Sequence, residues 1–451
     1  LQIGLKTGKK AILLTTNTST DKSWLQKAFH ALKRSIPVFM SVCPILFGLH
    51  ALSSSQAGID DLPEQERVIL GVERALKLFP EALHGKRLGL VINHTSVLPD
   101  RTSLLTAFLE QGIQVRAIFS PEHGFTGQVE GGLDIEDSRL ADIPVFSLYG
   151  TSKKPTPEQM SRIDAFVYDI QDVGTRFYTY ITTLMYVLEA ASRAEKTVYV
   201  LDRPNPAGGI HVEGPVLKEK HTSFIGPCPI PIRYGLTPGE LARMMRGERW
   251  IPQDVDLHVI PMDNWRRSYF WDDTGLPWIP TSPNIPTPDS ALAFPGTGLL
   301  GGLLLNQGLG TSLPFLQFGT PWLDTPFLVR ALEGEPTSGI ELETLTYTPV
   351  SLPGKVLHPA YENRPCQGIR IHIREPERFR SVHFTLALIK ALKEKHEAKI
   401  SVKSDSLNLL FGDDLLVRYL KGNLSYDRMI SQIKKEEQLF LQKRQKYLLY
   451  N

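Results

Sequence analysis

Between residues 87 and 202, short apolar runs alternate with stretches of helical spacing, and this alternation constrains the fold more than any other feature. RLGLVI (87–92), QVRAIF (114–119), IPVFSL (143–148), DAFVYDI (164–170) and TVYVLD (197–202) read as strands. Between them, SLLTAFLEQ stops at Gly112, TPEQMSRI (156–163) opens on Thr156, and TYITTLMYVLEAASRAEK (179–196) is a long helix. Strand, helix, strand with short connections predicts a parallel sheet with helices on both faces. That domain is expected over 62–285.

The pattern changes further on. LTPGELARMMRGERW (236–250) predicts a helix capped by Thr237 with Pro238 at its first position. Residues 275–290, GLPWIPTSPNIPTPDS, are too rich in proline for an element interior and read as an extended crossing segment or linker. LEGEPTSGIELETLTYTPV and GIRIHIREPERF (368–379) look β-containing, whereas FTLALIKALKEKH (384–396) and the final 425–450 stretch look helical. A second, smaller α+β domain is therefore expected over 290–451.

The first 57 residues read differently. Lys27, Lys33 and Arg34 precede the apolar run IPVFMSVCPILFGLHAL (36–52) and the small residues SSSQAG. A basic stretch, an apolar run and small residues predict a signal peptide, hence an exported protein, periplasmic or secreted. The run is too short, and too broken by Pro44, to predict a stable membrane span. Export leaves Cys228 and Cys366 in the mature chain, where they are free to pair or to remain structural thiols. No C-x-x-C or Cys/His cluster suggests zinc. With 42% hydrophobic and 22% charged residues, a net charge of +2 and no basic run interleaved with aromatics, nothing calls for nucleic acid. No G-x-G-x-x-G follows the first strand, and G-x-S-x-G and H-E-x-x-H are missing, so no dinucleotide cofactor, serine nucleophile elbow or catalytic metal is expected.

Every predicted strand is followed by a polar loop: Asn93 and His94; Glu122 and His123; Tyr149; Asp169, Asp172 and Arg176; Asp202, Arg203 and Asn205. In an open parallel sheet, ligands bind outside the carboxyl ends of the strands, so loops remote in sequence converge on one crevice. In FSPEHGF (119–125), Pro121 and Gly124 shape a turn that presents an acid beside an imidazole. DIQDVGTRFYTY (169–180) joins carboxylates, an arginine and aromatic platforms, a combination suited to a sugar. Bland readings compete: aromatic residues 177–180 as core, Arg176 paired with Asp172, and Asp202 with Arg203 as a buried pair fixing a loop.

SPEHGF, IPVFSLYGTSKKPTPEQ, DAFVYDIQDVGTRFYTYITTL, YVLDRPNPAGG, VEGPVL, PIPIRYGLTPGELA, WIPTSPNIPTPDSALAFPGTGL and RQKYLLY occur in this order and together resemble the exo-β-N-acetylmuramidase (NamZ) family. The resemblance runs from about residue 65 to 450. It implies a Rossmann-like domain, a smaller C-terminal domain closing a cleft, and release of N-acetylmuramic acid from the non-reducing end of peptidoglycan fragments. It places Glu122 and His123 in the cleft, with Asp169, Asp172, Arg176, Tyr178, Asp202, Arg203, Asn205, Glu213, Arg233 and Asn284 as its neighbours. Glycoside hydrolysis needs an acid and a second carboxyl, or an acetamido group that attacks from within the substrate. Glu122 is the expected acid/base, assisted by His123, and Asp169 or Asp172 the partner. Arg176, Arg203 and Arg233 are candidates to grip the lactyl carboxylate of muramic acid. One stretch departs from the family pattern: in LGGLLLNQGLGTSLPF (300–315), Gly301, Gln307 and Leu309 stand where the family carries charges. The alternative function is therefore a catalytically impaired muropeptide- or sugar-binding protein of the same fold.

Overall fold

A computed structural model describes residues 67–83 and 85–451; the expected leader, 1–57, lies outside them. The larger sheet contains β1 (Arg87–Ile92), β2 (Gln114–Ser120), β3 (Ser138–Leu140), β4 (Ile143–Ser147), β5 (Ala165–Asp169), β6 (Thr197–Leu201) and β7 (Leu257–Ile260). Its order is β3-β4-β2-β1-β5-β6-β7, with every pair parallel except β3 against β4. The five strands read from the sequence are its centre. The other two, β3 and β7, are edge strands of three and four residues, too short to show a period.

Side chains alternate across this sheet as strand geometry requires. Leu88, Leu90 and Ile92 of β1 enter one core with Leu104, Leu105 and Phe108, whereas Val91 enters another with Leu184, Leu188 and Leu241. Helices α1 (Gly71–Ala82) and α2 (Leu104–Glu110) cover the first face. After the short α3 (Pro157–Met160), α4 (Tyr180–Arg193) and α5 (Pro238–Gly247) cover the second. Gly89 permits the close packing on that second face: a Cβ there would lie 2.7 Å from Ile163 and 2.8 Å from Phe119. At α5, Thr237 accepts from the Glu240 amide and Glu240 accepts from the Thr237 amide, with Pro238 in the first turn, as the sequence predicts.

The proline-rich stretch carries no helix or strand until α6 (Pro288–Thr297). Beyond it lies the smaller domain: β8 (Gln317–Thr320), α7 (Thr325–Ala331), β9 (Ile340–Tyr347), β10 (Cys366–Ile373) and α8 (Ser381–His396), then α9 (Ser404–Phe411), α10 (Leu415–Leu420) and α11 (Tyr426–Arg444). Its sheet is antiparallel, ordered β8-β10-β9. Phe177, Ala207 and Ile232, from the loops above the larger sheet, belong to the same apolar core as Phe318, Ile369, Phe384 and Leu388 of the smaller domain. The chain end returns to the larger sheet, where the Tyr450 hydroxyl donates to Asp202 at 2.5 Å. No helix among the described residues is long and apolar enough to cross a membrane. Cys228 and Cys366 are both buried and both free, so the pairing left open by the sequence is not made.

Candidate active site

β1 lies between β2 and β5, and the chain proceeds outward on both sides of it, so the switch point of this sheet is the gap between the ends of β1 and β5. The two loops there are tied together. Asn93 Oδ1 accepts from the Thr95 amide (2.9 Å) and hydroxyl (2.6 Å), and the Gln171 amide donates to Thr95 Oγ1 at 3.0 Å. Ser96 Oγ donates to the Asp169 carbonyl. Yet Asn93 Nδ2, His94 Nδ1, Gln171 Oε1 and Asp172 Oδ1, all buried, have no hydrogen-bond partner among the described residues. Most buried polar atoms are paired. Four such atoms fall on the two loops flanking one gap, which makes this gap a candidate place for a polar ligand.

Glu122 follows β2 and is partly exposed. Thr179, at the start of α4, donates its hydroxyl to Glu122 Oε2 at 2.5 Å, and the Gly132 amide donates to Oε1 at 2.9 Å. Burial, and then the charge of Glu122 and the hydrogen bond to it, push the Tyr149 phenol up to about 12. His123 adopts a left-handed backbone (φ 70°), as does Gly124 (φ 75°). For a non-glycine residue that conformation is uncommon and concentrated at functional turns. The His123 Nδ1–H donates to the Val129 carbonyl at 2.7 Å, pinning the loop. His94 donates from Nε2 to the Pro280 carbonyl at 2.6 Å; its pKa is lowered by burial, with a further contribution from His123 nearby.

The three expected aspartates divide sharply. Asp169 is fully buried and bound by Arg203, Nε to Oδ1 at 2.5 Å and Nη2 to Oδ2 at 2.8 Å. Asp172 is buried too, but only its Oδ2 is bonded, by the Tyr234 hydroxyl and by the Gly174 amide at 2.7 Å. Desolvation raises its pKa to about 6 despite those donors. Asp202 lies deeper in the scaffold. It receives Thr237 Oγ1 (2.7 Å), Tyr450 Oη (2.5 Å) and the amides of Gly239 (2.8 Å) and Arg203 (3.1 Å), and burial raises it to about 7. The expected Asp202–Arg203 buried pair is thus an amide contact; the guanidinium goes to Asp169 instead.

The remaining expected residues serve mainly to join elements. Arg176 donates to the carbonyls of Pro215, Ile230 and Leu410, between 2.8 and 3.0 Å, and makes no pair with Asp172. Arg233 binds Glu213 at 2.5 Å and the carbonyls of Ala207 and Phe379, while Glu213 accepts from the Val382 amide at the start of α8. Asn205 bonds the Leu236 carbonyl and the Ala207 amide. Tyr178 is buried with its ring 4.6 Å from Tyr180 and 6.1 Å from Phe294. Asn284 donates to the Lys355 carbonyl at 2.9 Å, and the Leu357 amide donates to Glu130 at 2.7 Å, two bonds that join the larger-sheet loops to the 350–360 segment. The structure therefore ties Glu122 to Thr179 on the connection after β5 and sets His123 near His94 after β1, keeps Asp172 buried on the β5 loop, and leaves Arg176, Asp202, Asn205, Glu213 and Arg233 in buried joints.

Thr179 and Tyr234 escaped sequence reasoning. Thr179 lies inside the quoted DIQDVGTRFYTY string, where its place at a helix start was the available signal. Tyr234 is 62 positions from Asp172 and carried no signal. In the 300–315 stretch, Gln307 Nε2 donates to the Gly298 carbonyl at 3.2 Å and covers Gly301, where a Cβ would lie 2.2 Å from that nitrogen. Two of the neutral positions thus pack on one another, and Leu309 packs against the α4-side core. No group of three or more His, Cys, Asp or Glu among the described residues is arranged to hold a metal ion.

Comparison with known proteins adds family evidence. Residues 88–289 match the family model described as exo-β-N-acetylmuramidase NamZ, N-terminal, and residues 292–450 match its C-terminal counterpart. The chain is 33% identical over 423 residues to the peptidoglycan β-N-acetylmuramidase NamZ of Bacillus subtilis (strain 168), covering 93% of this chain and 100% of that protein. It also resembles two crystal structures of DUF1343 family proteins from Bacteroides fragilis NCTC 9343, each 32% identical. One has a TM-score of 0.78 and covers 86% of this chain and 100% of that one; the other has 0.69, 85% and 99%.

Proposed function

The chain belongs to the exo-β-N-acetylmuramidase NamZ family, and from that premise we propose that it is a glycosidase releasing N-acetylmuramic acid from the non-reducing end of peptidoglycan fragments. The observation that carries the assignment of residues is the contrast among the four expected acid/base groups. Glu122 and His123 are partly exposed at the sheet's carboxyl edge, whereas Asp169 and Asp172 are buried.

Glu122 is the acid/base group: it protonates the departing glycosidic oxygen and afterwards accepts a proton from water. Thr179 and Gly132 hold its carboxyl in one orientation, the Tyr149 phenol faces it, and His123 holds the loop that carries it. Of the two aspartates expected as partner, Asp172 has the unbonded oxygen, while both oxygens of Asp169 are engaged by Arg203. Asp172 is therefore the better placed of the two to serve as the second carboxyl of the reaction, orienting the sugar. The leader read from residues 1–57 makes this an exported protein, periplasmic or secreted, where cell-wall sugars are found. Recovering the full chain only from the cytoplasmic fraction of expressing cells would contradict that location.

The deciding experiment is hydrolysis of a chromogenic β-N-acetylmuraminide by residues 58–451, beside Glu122→Gln. Turnover that collapses in the variant supports both activity and role. Turnover that survives it moves the acid elsewhere. A folded wild type that binds muramic acid saturably without turnover is a binding protein, the reading favoured by the neutral 300–315 stretch.

A further inference from the structure

A muramic acid substrate carries a carboxylate on its lactyl ether, and the three arginines expected to grip it are already engaged. Arg176, Arg203 and Arg233 are 0%, 4% and 0% exposed. Their guanidinium groups point at carbonyls, at Asp169 and at Glu213. Seating a substrate carboxylate means unmaking a buried ion pair at Arg203 or Arg233, or three hydrogen bonds to backbone carbonyls at Arg176. The anion needs another cation.

Lys153 stands where one is required. Its ammonium lies 4.2 Å from the centre of the Phe224 ring and 5.0 Å from that of Tyr149, the residue hydrogen-bonded to Glu122. The Tyr149 phenol thus has the ammonium over its ring and the charge of Glu122 facing its hydroxyl. That arrangement suits a sugar whose glycosidic oxygen is at Glu122 and whose substituent extends from the ring. Lys153 is exposed and has no ion-pair partner among the described residues. Its neighbour Lys154 is committed to Glu189 and lies 4.2 Å over the Tyr186 ring. Asp134 is the other charge facing Tyr149. The ammonium itself rests over the two rings, which hold it in one place, so little further ordering is needed when an anion arrives.

We propose that Lys153 binds the lactyl carboxylate and so sets the preference for muramic acid over sugars without that group. The inference rests on the function proposed above. A lysine makes a point-charge contact rather than a planar fork, which accommodates a carboxylate on a rotatable ether.

The test compares residues 58–451 of the wild type with Lys153→Met, Lys153→Arg and, as a second exposed cation at the cleft, Lys355→Met. Substrates are the chromogenic β-N-acetylmuraminide, the same compound with its lactyl carboxylate converted to an amide, and the β-N-acetylglucosaminide. Lys153→Met is expected to raise KM for the free acid roughly tenfold with little change in kcat, to treat acid and amide alike, and to be largely restored by arginine. An equal loss on acid and amide, no change on either, or a loss carried by Lys355→Met instead overturns the proposal. If the wild type cleaves none of the three, the proposed activity fails, and calorimetric binding of N-acetylmuramic acid against N-acetylglucosamine decides the Lys153 question by itself. Unchanged selectivity in Lys153→Met would then overturn it.

Discussion

Arg203 holds Asp169 in a two-point grip beneath the carboxyl edge of the sheet, with both carboxylate oxygens engaged and both residues almost fully buried. Arg203 also reaches the Val97 carbonyl at 3.0 Å, so one side chain joins the loops after β1, β5 and β6. Removing either partner strands a buried charge. Asp169→Asn is expected to lower unfolding stability by about 3 kcal/mol or more, and Arg203→Lys by somewhat less because the fork is lost. Urea midpoints equal to wild type would show that this pair does not hold the loops.

Glu122→Gln keeps the shape of the side chain and most of its hydrogen bonds but cannot shuttle a proton. The expected result is a fall in kcat of about a hundredfold or more, with an unchanged melting temperature and retained binding of muramic acid. Thr179→Val removes one of the donors at the carboxyl and should cost roughly tenfold in kcat/KM. A Thr179 variant more damaged than the Glu122 variant would reverse their roles.

Asp172 yields a pH signature. Burial raises it from 3.8 to about 6, so the folded chain binds this proton more tightly than the unfolded chain. The cost of ionising it is absent below about pH 4, grows as pH rises, and is complete somewhat above pH 6. Asp172→Asn should match the wild type near pH 4 and exceed its stability by roughly 2 kcal/mol at neutral pH, while losing activity. Chemical denaturation across that range is the measurement, and wild-type and variant curves that stay parallel would count against the buried, raised carboxyl.

Gly174 shapes the same loop. Its backbone is left-handed (φ 75°), and a Cβ there would lie 2.1 Å from Asn205 Oδ1. Gly174→Ala combines backbone strain with displacement of a buried amide and should destabilise the fold by about 2 kcal/mol. A variant as stable as wild type in thermal unfolding would mean that the loop adjusts freely.

Cys228 and Cys366 are buried free thiols, and burial pushes the Cys228 thiol far above its ordinary range. Residues 58–451 should therefore react with Ellman's reagent only after denaturation, releasing the equivalent of both thiols. A single slow or missing equivalent in denaturant would point to oxidation.

Much of the fold is legible in the chain because the signals are local. Alternating apolar runs locate β1, β2, β4, β5 and β6, and Thr237 with Pro238 and Glu240 marks the start of α5, since a cap and a strand period act over a few residues. β3 and β7 pass unnoticed because three or four edge residues carry no period. The loops at the carboxyl edge are equally legible: Glu122, His123 and Asp172 emerge from strand ends, and a parallel sheet brings its strand ends together whatever their separation in sequence.

What one dimension cannot rank is who pairs with whom. Asp202 precedes Arg203 in the chain, yet the guanidinium turns to Asp169, 34 positions away, and Tyr234 reaches Asp172 across 62. Three arginines that look equally able to hold an anion prove to be engaged in buried joints, while an exposed lysine over the Tyr149 ring has no ion-pair partner among the described residues. The sequence by itself determined the parallel sheet, the caps, the family and the loops proposed to carry the chemistry. Only the tertiary structure decided which charges are neutralised and which stay available, because burial and pairing depend on through-space distances set when separate loops converge.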